Sequence, residues 1–417
     1  MHILFFTPAF PPFIGGGERY ARSLALALAA CGQQITVLTS HAQREQQLWQ
    51  GTGDAPIAVD SDGPLTIIRC PLRPFPGGWR GLLAWRKAMV LLSALPGDQS
   101  ALLQPMARRI PPLAELDAAL MRLPAPPDLV HGFNLSWEHT LLVARDVAKR
   151  RGAPFVVTPF AHFGAGSHAR VALNATMDHQ RRLLSEASAV LALTSVESEG
   201  FARWNVHPQQ VVVVGGGVDE PPPISDAAGV QASCDLHAPF ALFVGRATAD
   251  KGAMHAVQAT LRLVQDGFPL TLAFAGRTAG DFQRFLARLD PAGRAHVHLL
   301  GTIDEQTKHA LLQRTAMLLL PSQAESFGIV ILEAWQHATP VVAARAGGIS
   351  AVVDHGQNGL LAPFGDVPAL AAAMKRLLTD RALSLALGRA GQDKVRREYT
   401  WQRVAERVLA VYKRVAG

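Results

Sequence analysis

Short apolar runs recur along the chain, and each is followed by a stretch in which apolar residues return every three or four positions. In the first half, residues 3–6, 35–38, 65–69, 129–131, 155–158, 189–193 and 211–214 read as strands, and a helix is predicted over about 18–30. The rhythm stops at Pro221-Pro222-Pro223 and restarts with strands at 240–244, 270–275, 296–300, 317–320 and 341–343 and a helix over about 252–266. Strands alternating with helical patterns predict parallel sheets flanked by helices. The chain therefore reads as α/β, with two doubly wound, Rossmann-like domains at 1–220 and 221–395, joined by a linker at about 221–236. Ligand is expected at the carboxyl ends of the strands, in the cleft facing both domains. The stretch 401–415 reads as one amphipathic helix, within a terminal segment set at 396–417.

With 417 residues the chain is long enough for two cores. Its 49% apolar and 18% charged content fits a globular protein. Cys31, Cys70 and Cys234 show no zinc spacing and read as free thiols, which suits a reducing cytoplasm. The first apolar run is too short for a membrane span and lacks a basic leader, so it reads as a buried strand. A net charge of +7 favours anionic partners. No aromatic-rich or zinc-based recognition motif accompanies that charge, so nucleic acid is not expected. A nucleotide diphosphate or an anionic membrane surface fits better.

The chemistry concentrates at the ends of predicted strands. Gly15-Gly16-Gly17 lies between a strand and a helix, where glycine lets the backbone approach a phosphate, although an ordinary tight turn would use the same residues. Arg246 and Lys251 follow the strand at 240–244 and could neutralise a diphosphate through charge-assisted hydrogen bonds. After the strand at 317–320 comes Pro321-Ser322-Gln323-Ala324-Glu325-Ser326-Phe327-Gly328-Ile329, then a helical pattern carrying Glu333. Two carboxylates there can accept hydrogen bonds from sugar hydroxyls. Backbone N–H groups at Phe327, Gly328 and Ile329 would add phosphate binding at the helix start. Were the segment fully helical, eight residues would advance about 12 Å and return to within about 80° of one face.

In order along the chain, Glu325 and Glu333 with Pro321-Ser322, Ser326-Phe327-Gly328, Pro340-Val341-Val342, Gly347-Gly348 and Asn358-Gly359-Leu360 resemble the E-x7-E pattern of retaining, GT-B-fold glycosyltransferases of family 4. The resemblance reaches upstream to Val244-Gly245-Arg246, Asp250-Lys251-Gly252 and Gly15-Gly16-Gly17-Glu18. It implies a GT-B fold whose last helix crosses back to the amino-terminal domain. Gly16 and Gly17 would face the donor diphosphate, with Arg246 and Lys251 binding it. Glu325 would orient the transferred sugar, and Glu333 would hold the ribose. His162, in Thr158-Pro159-Phe160-Ala161-His162, resembles the family histidine facing that sugar, whereas His131 reads as structural. Departures occur at Gly216, Ala338, Ser350 and Ala351, and they touch the hinge and the donor-sugar surroundings.

The implied activity is transfer of a sugar from a UDP or GDP sugar to a hydroxyl acceptor with retention, without cofactor or metal. A non-catalytic nucleotide-sugar-binding subunit and a sugar-nucleotide epimerase or phosphorylase of similar architecture remain alternatives. Retained Arg246, Lys251, Glu325 and Glu333 speak against the first. Between residues 69 and 122, Arg73, Arg80, Arg86, Lys87, Arg108 and Arg109 interleave with Trp79, Leu82, Leu83, Trp85, Met89, Val90, Leu91 and Leu92. Such a mixture suits a surface lying on anionic lipid, hence a glycan or lipid-linked acceptor and a peripheral position on the inner face of the cell membrane. The same residues could equally pack into their own domain. Oligomeric state, nucleotide base and sugar stay open.

Overall fold

The computed structural model describes residues 1–13, 15–161, 176–237 and 239–417. Among the described residues, fourteen strands form two sheets: β1 (His2–Phe6), β2 (Gln34–Ser40), β3 (Ala58–Asp62), β4 (Leu65–Cys70), β5 (Leu129–Phe133), β6 (Phe155–Thr158), β7 (Ala189–Ala192) and β8 (Val211–Val213) in the first, and β9 (Phe240–Val244), β10 (Thr271–Ala275), β11 (Val297–Gly301), β12 (Met317–Leu320), β13 (Val341–Ala344) and β14 (Leu360–Ala362) in the second. The first has the order β3-β4-β2-β1-β5-β6-β7-β8 and the second β11-β10-β9-β12-β13-β14. In both, the central strands are parallel and buried along nearly their whole length, as doubly wound sheets covered by helices require. The GT-B architecture expected from the sequence is thus the one observed.

Two strands escape the sequence reading. β3 pairs antiparallel at the sheet edge, and its Ala-Val-Asp-Ser-Asp sequence is mostly exposed, so it carries no apolar run. β14 is only Leu360–Ala362 and is held beside β13 by burial against it.

The chain divides into two compact units, Met1–Gly217 with Trp401–Gly417, and Val218–Thr400. The boundary read from the proline segment at 220/221 falls at Gly217/Val218 in this division, and the one at 395/396 falls at Thr400/Trp401. The second offset has a local cause. Helix Arg381–Glu398 runs past 395 and caps at Tyr399, and within it Gly388 and Gly391 pack against the Ala338 carbonyl and the Trp335 ring. The last helix starts only at Trp401 and ends at Ala416.

That helix buries Val404, Ala405, Val408, Val411 and Tyr412, the one-sided spacing of an amphipathic helix, against helix Gly16–Ala30 of the first unit. Each buried valine or tyrosine contributes about 1.5–3 kcal/mol by leaving water. Trp401 packs on Tyr20, with ring centroids 5.1 Å apart, and lies over Gly217, where a Cβ would come within 2.4 Å of the indole. Each unit has its own apolar core. The first gathers Leu4, Phe6, Leu141, Val157 and Val190, and the second Phe243, Leu272, Phe274, Leu319 and Val342. No helix among the described residues is long and apolar enough to cross a membrane.

Candidate active site

In the second unit, β9, β12 and β13 lie side by side, so the loops leaving their carboxyl ends meet. Their backbones interlock. Gly252 has φ +69°, and a Cβ there would stand 2.0 Å from the Pro321 carbonyl oxygen, so only glycine lets the loop after β9 touch the loop after β12. The Gln323 N–H donates to Asp250 O at 2.8 Å across the same seam. On the other side, the Gly348 N–H donates to Glu325 O at 2.7 Å, and a Cβ on Gly348 would fall 1.9 Å from Ser326 O. The Glu325 turn is therefore held from both flanks before any side chain acts.

Into this frame Lys251 projects from the loop after β9 and Glu325 from the turn after β12, and Lys251 Nζ donates to Glu325 Oε2 at 2.5 Å. The side chains are 23% and 24% exposed, which leaves the pair facing solvent. Screening keeps such a pair weak, worth no more than about 1 kcal/mol. It can therefore exchange its partner for a ligand group at little cost. Arg246, exposed just past the end of β9, adds a second cation at the same strand edge.

Helix Ile329–Gln336 begins after Gly328, whose left-handed backbone (φ +84°) closes the turn. Glu325 consequently lies in the turn before the helix and Glu333 inside it, so the uniform helical rise supposed from sequence does not apply between them. Phe327 is buried with its ring 5.5 Å from Tyr399, so this residue offers a ligand its backbone alone. Ile329 supplies the first helical N–H.

Glu333 is 6% exposed, and its carboxylate accepts from Lys308 Nζ at 2.9 Å. The same ammonium donates to Glu305 at 2.7 Å. Glu305, His309 and Glu333 bring ligand-type atoms within 4.8 Å of one another, a convergence that the absence of metal spacing in the sequence did not anticipate. Lys308 already bonds both carboxylates of that trio, so the group is an ion cluster gathered around one ammonium. His309 Nδ1 lies 2.9 Å from His337 Nε2, and burial, then the His309 charge, pushes the His337 imidazole down to about 4. Sequence reasoning missed Lys308. The available signal was its helical spacing to the fully buried Leu311 and Leu312, which places a lysine on an inward face.

In the first unit, helix Gly16–Ala30 begins with Gly16 and Gly17 exposed or half-buried and with no side-chain cap on Gly15. Glu18 folds its carboxylate onto its own N–H, over Gly15, where a Cβ would meet the carboxylate oxygen at 2.1 Å. Burial raises the Glu18 pKa above the ordinary carboxylate range. His162 lies outside the described residues. His131 is fully buried, its ring nitrogens 2.5 Å from the Tyr412 hydroxyl and 2.8 Å from Thr158 Oγ1, and burial holds its pKa far below the usual imidazole range. Its work is packing. Of the sequence candidates, the structure thus joins Lys251 to Glu325 directly, sets Glu333 in the adjoining helix and places Gly16 and Gly17 in the other unit.

Residues 15–217 match the family described as "Glycosyl transferase 4-like domain", and residues 238–380 match "Glycosyl transferases group 1". Over 96% of this chain and 91% of its own length, the D-inositol 3-phosphate glycosyltransferase of Jonesia denitrificans is 28% identical. The alpha-maltose-1-phosphate synthase of Mycolicibacterium smegmatis is 30% identical over 57% of this chain, and the chain spans 66% of that relative's length. Among solved structures, Anabaena HepE in complex with UDP and glucose covers 99% of this chain and 100% of its own at a TM-score of 0.69 and 17% identity, a likeness of fold.

Proposed function

We propose that this chain, a GT-B glycosyltransferase by its fold and by both of its domain matches, moves a sugar from a nucleotide diphosphate donor to a hydroxyl acceptor with retention of configuration. The observation that carries the proposal is the Lys251–Glu325 pair at the carboxyl ends of β9 and β12, with Arg246 beside it. When a donor enters, its diphosphate takes Lys251 from Glu325 and draws Arg246 inward. The released Glu325 carboxylate then accepts hydroxyls of the transferred sugar, and Glu333 accepts those of the ribose. As the glycosidic bond to the diphosphate breaks, negative charge grows on the leaving oxygen. Arg246, Lys251 and the N–H groups at Gly328 and Ile329 stabilise it there. The acceptor attacks from the face the diphosphate leaves, passing its proton to a phosphate oxygen, so no side-chain nucleophile is needed. Gly16, Gly17 and His162 stay donor-site candidates on the sequence resemblance alone.

A thermal-shift panel of UDP-, GDP- and ADP-sugars should single out one donor nucleotide. The anomeric proton of fresh product should then report an α linkage from an α donor, formed in excess chelator. An inverted linkage, or activity that chelator abolishes and magnesium restores, would overturn retention or metal independence.

For the acceptor we propose a lipid-linked glycan reached from the cytoplasmic membrane face. Helix Gly78–Ser93 contains no acidic residue. Trp79, Leu83 and Leu91 are 48%, 42% and 70% exposed, Leu95 beyond the helix is 53% exposed, and Lys87 continues their four-residue spacing. With Arg80, these make an apolar stripe flanked by cations. Other members of the sequence cluster turn inward. Arg86 binds Glu138 at 2.5 Å, Trp85 donates to Met106 O at 3.1 Å beneath Arg109, and Leu82 and Met89 are buried. Anionic liposomes should co-float the protein at low salt and release it as salt rises. Leu91→Glu with Leu95→Glu should abolish flotation and leave folding intact. A protein that never floats takes a soluble acceptor.

A further inference from the structure

Glu197 is a fully interior carboxylate that the transfer chemistry leaves unused: it is 2% exposed, at the start of helix Ser195–Ala202. Its position, three residues after the N-cap Thr194, is that of a capping-box glutamate, which would reach back to the N-cap N–H. Here Thr194 does its part, accepting the Glu197 N–H at 3.2 Å, but the carboxylate goes elsewhere. One oxygen accepts the Leu193 N–H at 2.6 Å and the other accepts the Ala161 N–H at 2.6 Å. A single side chain thus ties the end of β7 to the turn that follows β6.

That turn has a defined task. Phe160 sits in the left-handed region (φ +52°), a conformation that costs energy in a bulky residue and is held only by its surroundings. Its ring lies against Gly17, where a Cβ would approach within 3.1 Å, and edge-on to Tyr20 at 5.3 Å. Tyr20 is fixed in turn by donating its hydroxyl to Gly215 O at 3.2 Å. We propose that Glu197 is a positioning residue: by accepting the Ala161 and Leu193 amides it pins the turn that presses Phe160 against Gly17, and so sets the start of the glycine-led helix for the donor diphosphate. The donor effect presupposes the transfer reaction proposed for this chain, whereas the pinning of the turn does not.

The clamp depends on both oxygens accepting. Burial pushes the Glu197 carboxyl up to about 7 against the lowering effect of the two amide bonds. The group therefore exchanges one acceptor oxygen for a hydroxyl as pH falls through neutrality. Tyr20 from the first helix stays neutral, because burial and the Glu197 charge raise its pKa while Arg407 from the last helix opposes them. Since the folded value lies above the ordinary 4.5, the contribution of Glu197 to global stability is full below that value and is lost as pH rises through about 7. The charged clamp is thus kept at a cost in stability, as expected of a group retained for positioning.

Glu197→Gln is nearly isosteric but offers one acceptor, and its NH2 would face the second amide. Amide exchange measured by mass spectrometry on the peptide spanning Phe160 and Ala161, corrected for intrinsic pH dependence, should be faster in Glu197→Gln. In wild type it should slow from pH 6 to pH 8, and that step should be absent in the variant. With the donor chosen by the panel, KM should rise about 10-fold in Glu197→Gln, the worth of roughly one charge-assisted bond, with little change in kcat. Phe160→Leu, which keeps the clamp and removes the ring, should raise donor KM without altering exchange at Leu193. Unchanged exchange at Phe160 and Ala161 in Glu197→Gln would overturn the clamp. Faster exchange with an unchanged donor KM would overturn its link to the donor site. If wild type turns over no sugar nucleotide, the exchange experiment still decides the clamp.

Discussion

Lys251→Ala should lower kcat/KM for the nucleotide-sugar donor by about 10- to 150-fold, the effect of losing one charge-assisted phosphate contact worth about 1.5–3 kcal/mol. The fold should barely notice. Lys251 and Glu325 are each about a quarter exposed (23% and 24%), so Glu325 left alone stays solvated and the stability change should remain within about 1 kcal/mol. This contrast is what separates a ligand-binding lysine from a structural one. Glu325→Gln should share the kinetic defect, because it weakens the acceptor of the sugar hydroxyls. Combined with Lys251→Ala, its losses should fall short of additive, since one interaction connects the two. Steady-state kinetics with donor varied, beside thermal melts, measures both. A folded Lys251→Ala enzyme with wild-type kcat/KM would remove this pair from the reaction.

Lys308→Met should do the reverse and destabilise the second unit by about 3–5 kcal/mol, the cost of taking one partner from a buried ion pair. Lys308 is 6% exposed and bonds Glu333, itself 6% exposed, so little water is at hand to replace the ammonium. Glu333→Gln in the Lys308→Met background should recover much of the loss, because neither member then carries a buried charge. A double-mutant cycle read by denaturant unfolding would show a coupling of about 1–3 kcal/mol. Independent, additive losses would mean that the ammonium does not hold Glu333. Donor KM offers a second measure. If Glu333 accepts the ribose hydroxyls, Lys308→Met should raise KM more than it lowers kcat.

The amino-acid sequence by itself determined the alternation of strands and helices and the strand edges at which chemistry gathers. Parallel strands covered on both faces are unbroken apolar runs, so 3–6, 240–244 and 317–320 stand out without any partner known. Punctuation was equally legible where it is local, as in the glycines at the start of helix Gly16–Ala30 and the serine-glycine turn before helix Ile329–Gln336. Tertiary structure decided what depends on residues distant in sequence. Lys251 meets Glu325 across 74 positions, Lys308 meets Glu333 across 25, and Glu197 reaches Ala161 across 36. Such pairings are set by strand order, and for Lys251 and Glu325 also by the close approach of backbones at Gly252 and Gly348, and neither periodicity nor spacing encodes them. The same holds for helix Gly78–Ser93, whose basic and aromatic residues look uniform in sequence. Packing against neighbours such as Glu138 and Met106 turns Arg86 and Trp85 inward and leaves Trp79, Lys87 and Leu91 outside. Local preference identifies an element. Only burial against a particular neighbour decides which of its faces is left to act.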